Sequence, residues 1–73
     1  MDAKKIGATL IKLRGKRTQQ EVADANNITV SAIGMYERGE RIPRDEIKIR
    51  LANYYGKSVD DIFFAHNDTI CVD

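Results

Sequence analysis

The sequence predicts an all-α fold, a compact five-helix bundle around one core. Three observations predict it. Apolar residues recur at three- and four-residue intervals, as on one face of a helix, and nowhere alternate with period two over strand length. Helix start and stop signals punctuate the chain, with threonine, serine or aspartate before each apolar stretch and glycine or asparagine after it. The 73 residues suffice for one small domain. A domain of this size buries only about 60% of its unfolded surface, which leaves little room for an enclosed catalytic cavity.

Ile6, Leu10 and Leu13 fall at i, i+4 and i+7 and define a first helix over about residues 3–14, ended by Gly15 and the basic turn Lys16-Arg17. Thr18 and Glu21 form a capping box for the second helix, whose Val22 and Ala23 face inward. Asn26-Asn27 stops that helix, because asparagine tolerates the left-handed backbone of a tight turn. Ile28 then plugs the core, and Thr29 caps a third helix to about Glu37, with Ile33 and Tyr36 inward and Gly39 as terminator. Ile42-Pro43 links to a fourth helix over about residues 44–55, with Asp45 and Glu46 at the positive end of its dipole. Its core residues are Ile47, Leu51 and one of Tyr54 and Tyr55, and Gly56 closes it. Ser58 and Asp61 cap a short fifth helix over about residues 59–64, buried through Val59, Ile62 and Phe63. The bundle is expected to occupy residues 1–64, and residues 65–73 form a tail without helical period.

Composition narrows the classes. The longest apolar runs are three or four residues, too short to span a membrane. The amino end lacks a signal peptide's apolar stretch, and the single cysteine, Cys71, cannot form an internal disulfide, so a cytoplasmic protein is expected. Net charge is only +1, but it is unevenly spread. Residues 1–17 carry +5, from Lys4, Lys5, Lys12, Arg14, Lys16 and Arg17 against Asp2. Residues 38–50 carry +2, from Arg38, Arg41, Arg44, Lys48 and Arg50 against Glu40, Asp45 and Glu46. Residues 18–37 hold Glu21, Asp24 and Glu37 with no Lys or Arg, and residues 51–73 hold Asp60, Asp61, Asp68 and Asp73 against Lys57. One basic face and one acidic rear fit this distribution, as does an ordinary solvated surface. No cofactor is implied. His66 and Cys71 are too few ligands for a metal site, Asp60 and Asp61 read as a helix cap, and no nucleophile–base arrangement or phosphate-cradling glycine loop is present, so no enzyme is expected.

Thr18 to Gly39 is the most informative stretch. Two short helices joined by a tight asparagine turn, the second with a small outward face, have the layout of a helix-turn-helix, whose second helix enters the DNA major groove. The stretch resembles the lambda-repressor/Cro-like (XRE-type) helix-turn-helix family. The matching residues are Thr18-Gln19, Val22-Ala23, Asn27, Thr29, Ile33, Tyr36-Glu37 and Gly39, and the likeness continues through Ile42-Pro43, Leu51-Ala52 and Ser58-Val59-Asp60-Asp61-Ile62-Phe63. It spans about residues 5–64. Asn26 stands where the family has an apolar residue, Asn27 replaces its common glycine, and the loop between the first two helices is short.

The resemblance implies roles for matched positions. Thr29, Val30, Ser31, Gly34 and Met35 would line the groove-facing side of the recognition helix. Gln19 would meet a phosphate through its side chain and the helix amino end. Arg38 and Arg41 would clamp the flanking backbone, with Arg44 and Arg17 as additions. Arg14 and Glu37 match a family ion pair between the first and third helices. Between Thr29 and Glu37 there is no Arg, Lys, Asn or Gln, so the bidentate pairs with guanine and adenine are missing from that face. Ser31, Val30 and Met35 remain, and they suit thymine methyls, water bridges and DNA shape. Gly34 is read as permitting close approach to DNA or as an incidental surface glycine.

These roles add up to a sequence-specific double-stranded DNA-binding transcriptional regulator, of the kind found in phages and mobile elements. A homodimer on a near-palindromic operator is expected, with Phe63, Phe64, Ile70 and Val72 as its contact and no room for a sensor domain. The rival is an antitoxin-like or adaptor module that uses the same bundle to hold a protein partner. No membrane partner is expected.

Overall fold

The computed structural model describes residues 2–64. Their helices are α1 (Ala3–Arg14), α2 (Gln19–Asn26), α3 (Val30–Glu37), α4 (Asp45–Tyr55) and α5 (Asp60–Phe64), and no strand occurs among the described residues. The fold is the all-α bundle that the apolar spacing predicts. His66, Ile70, Cys71 and Val72 lie outside the described residues.

Local chemistry sets the helix ends. Asp2 accepts the amides of Lys4 and Lys5 at the start of α1. Thr18 and Glu21 form the reciprocal box, with Glu21 N donating to Thr18 Oγ1 at 3.0 Å and Thr18 N to Glu21 Oε1 at 3.2 Å. Three helices end in the same wrapped form, in which an amide two or three residues past the helix reaches back to a carbonyl of the last turn. Asn27 takes the left-handed position after α2, at φ 57°, so that Ile28 N donates to Ala23 O at 3.0 Å. After α3, Glu40 N donates to Met35 O at 2.9 Å, and after α4, Lys57 N donates to Ala52 O at 2.9 Å.

α5 differs from the expected α-helical turn. It begins at Asp60 and is a wide π-type turn. The Ser58–Asp61 box is nevertheless made, with Asp61 N donating to Ser58 Oγ at 3.0 Å. The wider turn accompanies the burial of adjacent Ile62 and Phe63, which are 1% and 0% exposed.

Ile6, Leu10, Val22, Ala23, Ile33, Tyr36, Ile47, Leu51, Ala52, Ile62 and Phe63 form one core, with Leu13, Ile28, Val30, Tyr54, Tyr55 and Val59 packed against it. Both tyrosines at the end of α4 are half-buried, so neither is chosen over the other. Asn26 fills the usual apolar position while buried, because its Nδ2 donates to Val22 O at 2.8 Å. Arg50 Nη1 donates to Asn26 O at 3.3 Å, which ties the end of α2 to α4.

α1 and α3 meet backbone to backbone. α1 crosses the carboxyl end of α3 at Gly7, where a Cβ would stand 2.8 Å from the Tyr36 carbonyl oxygen and closer still to that of Glu37. Neither carbonyl is a flexible side chain that can give way. Gly7→Ala should therefore destabilise the fold by roughly 1–3 kcal/mol despite alanine's better helix propensity, a fall of roughly 5–20 °C in melting temperature. A thermal melt of the variant that matches or exceeds wild type would refute this account of the crossing.

Candidate nucleic-acid interface

The outer surface of α3 is organised around a buried carboxylate. Glu37, at the end of α3, has a side chain only 5% exposed. Arg14 Nε donates to its Oε2 at 2.7 Å, and Arg14 Nη2 to its Oε1 at 3.2 Å. Gln19 Nε2 adds a third donor, to Oε1 at 2.9 Å. Arg14 Nη1 also donates to the Arg17 carbonyl at 2.7 Å. The last residue of α3 is thus tied to the end of α1, the start of α2 and the loop between them. The Glu37 hydrogen bond holds the Arg14 guanidinium above its ordinary pKa. Half-buried Tyr55 lies in the same field, and burial first, then Glu37, pushes its hydroxyl up to about 12.

This geometry changes what Gln19 can offer. Its side chain commits an amide hydrogen to Glu37, and the backbone amides of the first turn of α2 are left at the helix's amino end. The position is family-like, but the side chain braces the helix pair.

On α3 the residues separate by turn. Val30, Ile33, Tyr36 and Glu37 lie on the inner side, Val30 being half-buried against the core. Val30, expected along the groove-facing side, thus has part of its surface against the core. Thr29 is the N-cap, and its hydroxyl accepts the Ala32 amide at 3.0 Å. Ser31 is exposed and Met35 half-exposed on the outer side. Gly34 is buried, because the Arg38 guanidinium folds back over it. The missing Cβ leaves room for the Arg38 guanidinium.

The arginines fall into two groups. Arg41 and Arg44 are exposed and pair with no carboxylate among the described residues. Arg17 and Arg38 are already engaged. Arg17 stacks over Tyr54 and Tyr55, 5.2 and 5.7 Å from the ring centroids, while its Nη1 reaches the Leu13 carbonyl at 3.4 Å. Arg38 is paired with Glu40. Sequence reasoning missed Gly7, Glu40 and the Arg50 tie. Of these only Glu40 left a signal, as a carboxylate two residues beyond an arginine at a helix end.

At the opposite end, Phe63 is fully buried and cannot form a dimer surface, which corrects that expectation. Phe64 is 40% exposed and Ile49 52% exposed, beside a shallow groove that they line with Asp45, Lys48 and Val59. The expected contacts Ile70 and Val72 lie outside the described residues, so they are not placed. Among the described residues no cluster of His, Cys, Asp or Glu could hold a metal, and no helix is long and apolar enough to cross a membrane.

Comparison with known proteins agrees with the fold. A family model described as helix-turn-helix matches residues 10–62. The crystal structure of the clp gene regulator ClgR from Corynebacterium glutamicum superposes with a TM-score of 0.79, at 22% identity, covering 99% of this chain and 79% of that one. At that identity the likeness is one of fold. No curated protein sequence matches the chain.

Removing the Glu37 carboxylate strands the Arg14 guanidinium and frees the Gln19 amide at once. Glu37→Ala should cost about 3–5 kcal/mol in urea unfolding. A loss below about 1 kcal/mol would mean that the junction does not hold α3 in place.

Proposed function

The chain belongs to the lambda-repressor-like (XRE-type) helix-turn-helix family, and we propose that it is a sequence-specific double-stranded DNA-binding transcriptional regulator, a repressor of the phage or mobile-element type. The observation that carries this reading is the outer side of α3, where exposed Ser31 and half-exposed Met35 present little bulk, and where Arg41 and Arg44, exposed and without a carboxylate partner among the described residues, follow in the next loop. A rod with small outward side chains fits the major groove, and flanking guanidinium groups meet the phosphates on either side. In this reading Thr29, Ser31 and Met35 approach base edges, with Val30 at the inner margin. The amino end of α2 at Gln19 and the side chains of Arg41 and Arg44 hold the backbone, and Arg17 joins them from its tyrosine stack. The protein would act in the cytoplasm, where its DNA is.

A symmetric pair of chains on a near-palindromic site, with half-sites about one helical turn apart, completes the proposal. Exposed Phe64 and Ile49 favour the α5 end as the contact. Truncation after Phe64 should weaken cooperative operator binding if the tail takes part; a truncated dimer of normal affinity would count against it.

Selection from random duplexes at two salt concentrations tests the function. A palindromic consensus is expected, with affinity falling as salt rises and with Arg41→Ala and Arg44→Ala each flattening the log–log slope by about 1. Uracil in place of thymine should weaken binding at one or more positions. Equal, weak association with every duplex, alongside firm binding to a protein, would instead make the chain an adaptor.

A further inference from the structure

Ser31, Gly34, Met35 and Arg38 stand at i, i+3, i+4 and i+7 and therefore share one stripe of α3. Arg38 belongs to this stripe because the backbone is still helical there, at φ −83° and ψ −3°. Its side chain runs back toward the amino end, as long side chains on a helix do. The guanidinium comes to rest over Gly34, with Nη1 2.8 Å and Cζ 3.6 Å from where a Cβ on Gly34 would be. Any other residue at position 34 would fill that space.

Glu40 holds the guanidinium there. Arg38 Nε donates to Glu40 Oε2 at 2.9 Å and Nη2 to Oε1 at 3.2 Å. Glu40 is itself fixed to α3, since its amide donates to Met35 O at 2.9 Å and the Gly39 amide to Tyr36 O at 3.2 Å. The carboxylate occupies only the side edge of the guanidinium. The end edge, Nη1 with the second hydrogen of Nη2, keeps two parallel N–H groups without a partner among the described residues.

We infer that Arg38, seated on Gly34 and braced by Glu40, is a base-reading arginine that presents this end edge to the O6 and N7 acceptors of a guanine in the major groove. The inference rests on the DNA-binding reading above and deepens it. Two physical points favour a base over a phosphate. The Glu40 carboxylate in contact with the guanidinium repels a phosphate drawn to the same group, whereas a guanine edge is neutral and accepts two parallel N–H groups. The guanidinium is also already hydrogen-bonded to Glu40 in a planar fork, which lowers the rotamer freedom lost when it meets a rigid planar edge. Glu40 is then a positioning residue. It adds little stability as an exposed pair, but it selects what Arg38 can bind.

The test uses the full chain and the consensus duplex recovered by the selection described above. That consensus should hold a guanine in each half-site at which 7-deazaguanine, which lacks the N7 acceptor, weakens wild type about tenfold. Arg38→Ala should abolish the preference at that position alone and leave the salt slope unchanged. Glu40→Gln should reduce the guanine preference several-fold, and Glu40→Asp should restore most of it. A consensus without such a guanine overturns the inference. So does an Arg38→Ala variant that binds every duplex more weakly by one factor with a shallower salt slope, or a Glu40→Gln variant that binds more tightly with unchanged base preference; these results make Arg38 a phosphate contact and leave the DNA-binding reading standing. If wild type shows no salt-sensitive duplex binding at all, both readings fall.

Discussion

The buried carboxylate of Glu37 is the constraint on which the rest depends. α3 has only eight residues, and an isolated helix of that length does not hold its shape in water. Its geometry is lent to it by what it packs on. Ile33 and Tyr36 anchor its inner side in the core, Gly7 lets α1 press on its last carbonyls, and Glu37 collects donors from Arg14 and Gln19. The hydrophobic contacts are non-directional and set how close the helices lie. The ionic junction is directional and sets the rotation of α3, and so which residues face outward.

A charge buried this way gains net stability only when its lone pairs are matched, and here three N–H groups converge on two oxygens. The same logic runs through the other buried polar groups. Asn26 turns its amide back on its own helix, and Lys48 lays its ammonium near Asp45 and across the rings of Phe63 and Phe64. No buried side-chain nitrogen or oxygen among the described residues lacks a partner. What the junction yields is rigidity: it ties the start of α2 to the end of α3 and so keeps the two helices in a fixed relation.

Much of the fold was legible because its signals are local. The Thr18–Glu21 box, the Thr29 cap, the left-handed Asn27 and the Ile6–Leu10 spacing each act within a turn or two of chain, and the helix bounds follow from them. What could not be read depends on tertiary neighbours or side-chain conformation. Gly7 looks like any helical glycine until α3 is laid across it. The Gln19 hydrogen bond to Glu37 has no local signal, because its partner lies in another helix. Phe63 and Phe64 are neighbours of equal hydrophobicity, and only the wide turn of α5 decides which enters the core. Arg38 lies one residue past the end of α3, and only its backward fold over Gly34 brings it onto the outer side of that helix. Arg17 was drawn to two tyrosines that the sequence places nearly forty residues away.

The central claim is that the outer side of α3 meets DNA. The most direct measurement is a titration of isotope-labelled protein with the selected duplex, following backbone amide shifts. The largest changes are expected at Gln19, at Thr29 through Arg38, and at Arg41 and Arg44, while Ile49 and Val59 stay still. Changes gathered around Ile49, Val59 and Phe64, with the α3 amides unmoved, would contradict it.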